Sequence, residues 1–250
     1  MRTSEGHAPP PLPYRLDGLS RAEPLTRVAL SFAFDTIAPV RCETSVGSQI
    51  ISGNFPAWLR WAALAWLLVW VPAYWHTWGA SNFLELCDIA VILTGLGLWT
   101  GSGLLISSQA VSSLAVDVVW ILDASWRFLT GRFLLGGTEY FFDTRYPLWI
   151  RLLSLFHALM PPLLLWSLYR TGYDRRGFAL QSLIAVLAFI ASRFTIPYKN
   201  TNFAFVDPFF HRAWGPPPIH VAVSVLFLAI VVYLPTHLVL KRLFSQRAGR

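Results

Sequence analysis

From residue 58 onward the chain is a succession of apolar runs separated by short polar or glycine-marked breaks. Six runs stand out, at residues 58–75, 83–100, 104–122, 147–169, 178–196 and 219–240. At ~1.5 Å per helical residue, each covers most or all of a ~30 Å hydrocarbon core. A helix satisfies its own backbone polar groups where no water can, so the pattern predicts an all-α, polytopic transmembrane helical bundle of about six spans. Only Gly101, Ser102 and Gly103 separate the second run from the third, which requires a tight hairpin. Residues 126–142, WRFLTGRFLLGGTEYFF, are too short and too marked by Arg and Gly to cross, and predict an interfacial or re-entrant helix between spans three and four.

Residues 1–56 contain no such run and are punctuated by proline, as in APPPLP at 8–13. They are expected to form a disordered Pro-rich cytoplasmic tail, followed by the six-helix domain at 57–241 and a basic cytoplasmic C-terminal tail at 242–250. A cleavable signal peptide is not expected, because the first strongly apolar run begins near residue 58 and is long enough to span. No internal repeat relates the first three runs to the last three.

Composition agrees with this layout. Charged residues make up 13% of the 250 positions against 55% hydrophobic, and the mean hydropathy is +0.50, whereas soluble globular chains carry ~25% charge. The net charge of +7 arises wholly beyond residue 57, since the tail balances five Arg with five acids. Basic residues flanking spans are topology signals facing lipid headgroups, so the expected partner is membrane lipid and a nucleic-acid partner is not expected. With the N-terminus inside, 12 Lys and Arg fall on the inner side and 5 on the outer, favouring cytoplasmic N- and C-termini in a plasma membrane. The two cysteines, Cys42 and Cys87, have neither disulfide-framework nor zinc spacing, and no metal or other cofactor is expected. Protein partners leave no signature.

Against this background the ionisable residues at membrane depth carry the chemical information. Each costs roughly 2.5–3.5 kcal/mol to insert, so such residues face the bundle interior and mark pairing or function. Taking 1.5 Å per residue from the predicted span ends, Asp88 lies about 7 Å below the outer surface, Asp117 about 9 Å, Arg193 about 5 Å and His157 about 15 Å. Four helices thus aim polar groups at the outer half of the bundle. Ser113, Asp117 and Trp120 share one helical face, Cys87 and Thr94 another, and Pro161 with Pro162 open a kink just below His157. Arg193 paired with Asp88 or Asp117 would serve either as part of a site or as a structural lock. Cys87 reads as a nucleophile or as an inert small hydrophobe, and Glu85 and Asp123 as solvated interface residues. The loop 197–218 reads as a lid or as a stiff connector.

Leu86-Cys87-Asp88 in span two, Phe156-His157 in span four and Asn200-Thr201-Asn202-Phe203 after span five, in that order, resemble the YwaF-like six-span integral membrane proteins. The resemblance extends over residues 58–240 in helix count and order. Relatives of that family include a cysteine-dependent phospholipid acyltransferase. The resemblance implies an acyl-accepting Cys87, a base at His157, and Asn200 and Asn202 orienting a lipid headgroup or oxyanion. Three functions are therefore carried forward: a membrane-embedded enzyme acting on a lipid or acyl substrate, a carrier using Asp88, Asp117, His157 and Arg193 as a relay, and a non-catalytic scaffold.

Overall fold

The computed structural model describes residues 55–244, and every regular element among them is helical. Residues 1–54 of the expected tail, with Cys42, and residues 245–250 lie outside the described residues. The elements are α1 (Ala57–Trp78), a 3-10 turn (Ala80–Leu84), α2 (Leu86–Thr100), α3 (Gly103–Thr130), α4 (Glu139–Phe142), α5 (Leu148–Leu153), α6 (Phe156–Thr171) and α7 (Arg176–Ser192). Two 3-10 turns (Pro197–Lys199 and Thr201–Phe203) precede α8 (Pro217–Phe227), a π-helical stretch (Leu228–Tyr233) and α9 (Leu234–Phe244).

Four segments are long and apolar enough to cross a membrane: α1, α3, α5 with α6 as Leu148–Thr171, and α8 through α9 as Pro217–Phe244. The chain therefore has the helices of an integral membrane protein. The expected runs 83–100 and 178–196 fold as α2 and α7, apolar but only 15 and 17 residues long.

Helix α3 is the axis of the bundle. It packs against α2, α6, α7, α9 and the π-helical stretch, and 56% of its most apolar window is buried, against 11% for α1 and for Pro217–Phe244. Its sequence explains this position. Ser107, Ser108, Gln109, Ser112 and Ser113 are all buried on it, and small or hydrogen-bonding side chains let neighbouring backbones approach closely. A Cβ at Gly177 of α7 would stand 2.8 Å from Ser107 Cβ and 2.9 Å from the Ser108 nitrogen, so glycine is what admits the contact. Gln181 Nε2 then donates to Ser112 Oγ at 2.8 Å and to the Tyr233 hydroxyl at 3.3 Å, tying α7 and the π-helical stretch to the axis.

The hairpin at Gly101 is as expected: Gly101 is left-handed (φ 71°), and Ser102 Oγ caps α3 by accepting from Leu105 N at 3.3 Å. Three boundaries differ from the sequence expectations. The helix begun at Gly103 runs on to Thr130 and stops at left-handed Gly131, so residues 126–142 form no single interfacial helix; only the four residues of α4 are helical after the turn. The Pro161–Pro162 pair sits inside α6, and the interruption lies above the histidine at Ser154–Leu155, where His157 N bonds Ser154 O and Ala158 N bonds Leu155 O in the tighter three-residue pattern. Helix α7 ends at Ser192, which leaves Arg193 at its C-terminal cap.

Candidate functional site

Asp117 projects from the buried face of α3 and His157 from the first turn of α6, and the contact between these two helices brings them together. Asp117 Oδ1 lies 2.7 Å from His157 Nδ1, and the residues are 2% and 4% exposed. Trp120, less than one turn beyond Asp117, stacks on the imidazole at 4.9 Å and 17°, while the Phe156 ring covers it at 4.1 Å. Trp120 in turn donates its indole N–H to the Tyr140 hydroxyl at 2.9 Å. Beside them the Tyr74 hydroxyl meets Ser154 Oγ at 2.8 Å, so the interrupted turn of α6 is stitched to α1.

One oxygen of this arrangement is left over. Asp117 Oδ2 is buried and has no hydrogen-bond partner among the described residues, and none of them bonds His157 Nε2 either. With Asp117 ionised, the carboxylate can only accept; Nδ1 then carries the proton, and Nε2 of a neutral ring is the basic nitrogen. This is the relation that orients a histidine for general-base work.

The position of Tyr140 depends on a second carboxylate. Asp123, also on α3, is 1% exposed, and its Oδ1 accepts from the backbone N–H groups of Leu134, Leu135 and Gly136 at 2.8, 2.7 and 3.1 Å. Its Oδ2 accepts from the Thr138 hydroxyl. The clamp folds the chain back after Gly131 and delivers α4, whose Phe141 packs on Trp120 at 5.3 Å. Asp123 is thus a buried structural anchor, correcting its reading as a solvated residue.

Other expected site residues are held elsewhere. Asp88 accepts from Asn82 Nδ2 and lies 3.8 Å from Cys87 Sγ; Cys87 makes no hydrogen bond to His157 among the described residues. Thr94 lines a cavity against α1 and α6, whereas the Cys87 thiol turns to Asp88. Glu85, expected to be solvated, is half-buried and accepts from Asn202 N at 3.1 Å.

Asn202 also accepts from Leu86 N at 3.0 Å and donates to Leu84 O and Ser192 Oγ. It is left-handed (φ 53°), and it fastens the loop after α7 to the start of α2. Asn200 closes its own loop, donating to Val206 O at 2.7 Å and accepting from Phe205 N and Val206 N. Arg193 donates to Ala204 O at 3.2 Å and sits 4.1 Å above the Phe205 ring. The expected pair with Asp88 or Asp117 is not formed, because the helix cap turns the guanidinium into the loop.

Carboxylates in the loops are ordinary anchors. Burial would raise Asp207, but the N–H groups of Phe210, Phe209 and Arg212 outweigh it and hold the carboxyl below its usual range. Hydrogen bonding by Arg176 does the same for Asp174.

The residues that sequence reasoning missed are Tyr74 and Tyr140. Nothing in their spacing shows that their hydroxyls border Ser154 and Trp120. No group of three or more His, Cys, Asp or Glu that could hold a metal ion occurs among the described residues. No family model matches the chain, and neither the curated proteins nor the solved structures give a match.

Proposed function

We propose that the chain is a six-span plasma-membrane enzyme acting on a lipid or acyl substrate, with His157 as general base and Asp117 as the group that orients it. In this reading α2 and α7 are the two shorter spans, both termini are cytoplasmic, and the pair lies in the outer half of the bundle. The supporting observation is the 2.7 Å Asp117–His157 contact with Asp117 Oδ2 left without a partner. A buried oxygen left unsatisfied costs about 1–3 kcal/mol; Asp123 on the same helix has both oxygens satisfied, and Asp117 Oδ2 differs from the other bare buried atoms, such as Gln109 Oε1 and Gln181 Oε1, in belonging to a carboxylate that orients a histidine. The walls are aromatic and the site lies at membrane depth, which favours a substrate arriving from the bilayer.

Two attacking groups suit such a base. One is the Cys87 thiol, after a rotation that exchanges Asp88 for His157; the other is a water or substrate hydroxyl reaching Nε2 directly. The carrier reading is less well supported, since its relay needs Arg193, which bonds Ala204 O instead.

The test is lipid turnover by the purified protein in liposomes of phosphatidylcholine and phosphatidylethanolamine, followed by mass spectrometry. Wild type should form lysolipid or acyl-exchanged lipid, His157→Ala should abolish this, and Asp117→Asn should slow it by about three to four orders of magnitude. Cys87→Ala separates the two attacking groups. Lipids left unchanged by wild type would sink the reading.

A further inference from the structure

At the end of the bundle where α6 connects to α7, positive charge outnumbers negative charge among the described residues. Asp174 is the one acid between Asp143 and Asp207, and no acid follows Asp207 in the sequence. Its carboxylate is taken by Arg176, whose Nη2 lies 2.7 Å from Oδ2, and its backbone N–H donates to Ser107 Oγ of α3 at 2.9 Å. The neighbouring Arg175 makes no ion pair among the described residues, and neither do Lys241 and Arg242 in the last turn of α9. These three cations, from two segments distant in the sequence, line one open cleft of about 470 Å³, with Leu238 and Val239 as its apolar wall.

Buried contacts hold the two sides of the cleft in place. The Tyr173 hydroxyl, in the same loop as Arg175, meets His237 Nδ1 of α9 at 2.6 Å, and the His237 ring lies 5.1 Å from that of Phe178 on α7. Leu240 is 2% exposed, and α9 packs on α3. Helical spacing orders what α9 presents. Leu234, Leu238 and Arg242 recur every four residues on one face, so an exposed apolar stripe leads to a cation at the end of the helix. Pro217–Phe244 is long and apolar enough to cross a membrane, which sets that cation at headgroup level. A zwitterionic headgroup would bring an ammonium among three unpaired cations, so charge complementarity selects a headgroup of net negative charge.

We infer that this cleft seats an anionic glycerophospholipid, with its phosphate between Arg175, Lys241 and Arg242 and one acyl chain along Leu238 and Leu234. The site is separate from the Asp117–His157 pair, since Ser107, which holds Asp174, lies about 15 Å along α3 from Asp117. Lipids left unchanged in the turnover assay would therefore leave it standing.

The test is native mass spectrometry of the full-length protein in detergent, titrated with phosphatidylglycerol or with phosphatidylcholine of the same acyl chains. Wild type should bind phosphatidylglycerol about tenfold more tightly, and each of Arg175→Gln, Lys241→Gln and Arg242→Gln should cut that affinity by about fivefold, the effect of one cation at a lipid surface. All three positions are exposed, so the variants should fold. Arg132→Gln, an exposed cation beyond the other end of α3, should change nothing. Tyr173→Phe keeps every charge but unties the Arg175 loop from α9, and should weaken binding severalfold. Glycerol 3-phosphate, which offers the phosphate without the chain, should not displace the lipid even in large excess.

Equal affinity for the two lipids, a loss with Arg132→Gln as large as with Arg175→Gln, or binding indifferent to Tyr173→Phe would overturn the inference. Displacement by glycerol 3-phosphate would also overturn it, by assigning the cleft to a soluble phosphate.

Discussion

Asp117 and Asp123 are two carboxylates on one helix, separated by about 9 Å along its axis and equally withdrawn from solvent at 2% and 1% exposure. Asp123 has both oxygens engaged, with three backbone donors on one and a hydroxyl on the other. Asp117 has one partner, an imidazole, and a bare second oxygen. Equal burial therefore hides a difference between the two acids. What separates them is whether the folded chain completes the acid's hydrogen bonding. The two are also connected: the Asp123 clamp sets α4, α4 sets Tyr140 and Phe141, and these hold the Trp120 ring that stacks on His157.

The largest effect expected from breaking this comparison is on folding. Asp123→Ala would strand three amide donors and the Thr138 hydroxyl, and should cost about 3–5 kcal/mol, read as loss of folded protein in detergent. A variant that folds with an unchanged thermal midpoint would show that the clamp is dispensable. His157→Asn is expected to be milder, about 1–2 kcal/mol, because the amide keeps a donor in place of Nδ1 for Asp117 and only the stacked ring is lost. A loss as large as that of Asp123→Ala would make the pair structural.

Arg193→Ala should cost about 1 kcal/mol through the Ala204 carbonyl and the Phe205 face. Combined with Asp88→Asn or Asp117→Asn, its effect should add within about 0.5 kcal/mol, since the groups are not paired. A coupling energy above that would restore the ion pair anticipated from sequence. The smallest effect concerns pH. Asp207 and Asp174 have folded values below their unfolded ones, so their contribution is fully present above the unfolded value of ~3.9. It is lost as pH falls further through the lowered folded values. Protection of the Phe209 and Phe210 amides, taken as exchange relative to the intrinsic rate at each pH, should therefore fall below about pH 4 and be flat above it, whereas Asp207→Asn should abolish the step.

Much of the helical frame was legible because hydrocarbon length and self-satisfied backbones leave an apolar run few alternatives. The shared face of Ser113, Asp117 and Trp120 was legible for the same reason, as a consequence of helical periodicity, and it put Trp120 next to the histidine's partner. What could not be read is every bond made to a backbone group. The donors that hold Asp123 lie 11–13 residues further along the chain, and any residue but proline supplies an identical N–H. Asn202 likewise reaches Leu84 and Leu86 from more than a hundred residues away. Arg193 was placed in a span because apolar residues continue past it, but the helix stops one residue earlier and its side chain follows the loop. Cys87 was paired with His157 by resemblance, while its thiol is turned to the neighbouring Asp88.

The proposal that Asp117 is held for chemistry and Asp123 for structure is tested by one crossed measurement. Asp117→Asn and Asp123→Asn, each nearly isosteric, are compared with wild type for thermal midpoint in detergent and for lipid turnover per folded molecule in liposomes. Asp117→Asn should keep a midpoint close to wild type and lose turnover by about three orders of magnitude or more. Asp123→Asn should lower the midpoint, while the molecules that do fold retain turnover far above that of Asp117→Asn. Equal loss of stability in both variants, with turnover per folded molecule unchanged in Asp117→Asn, would contradict it.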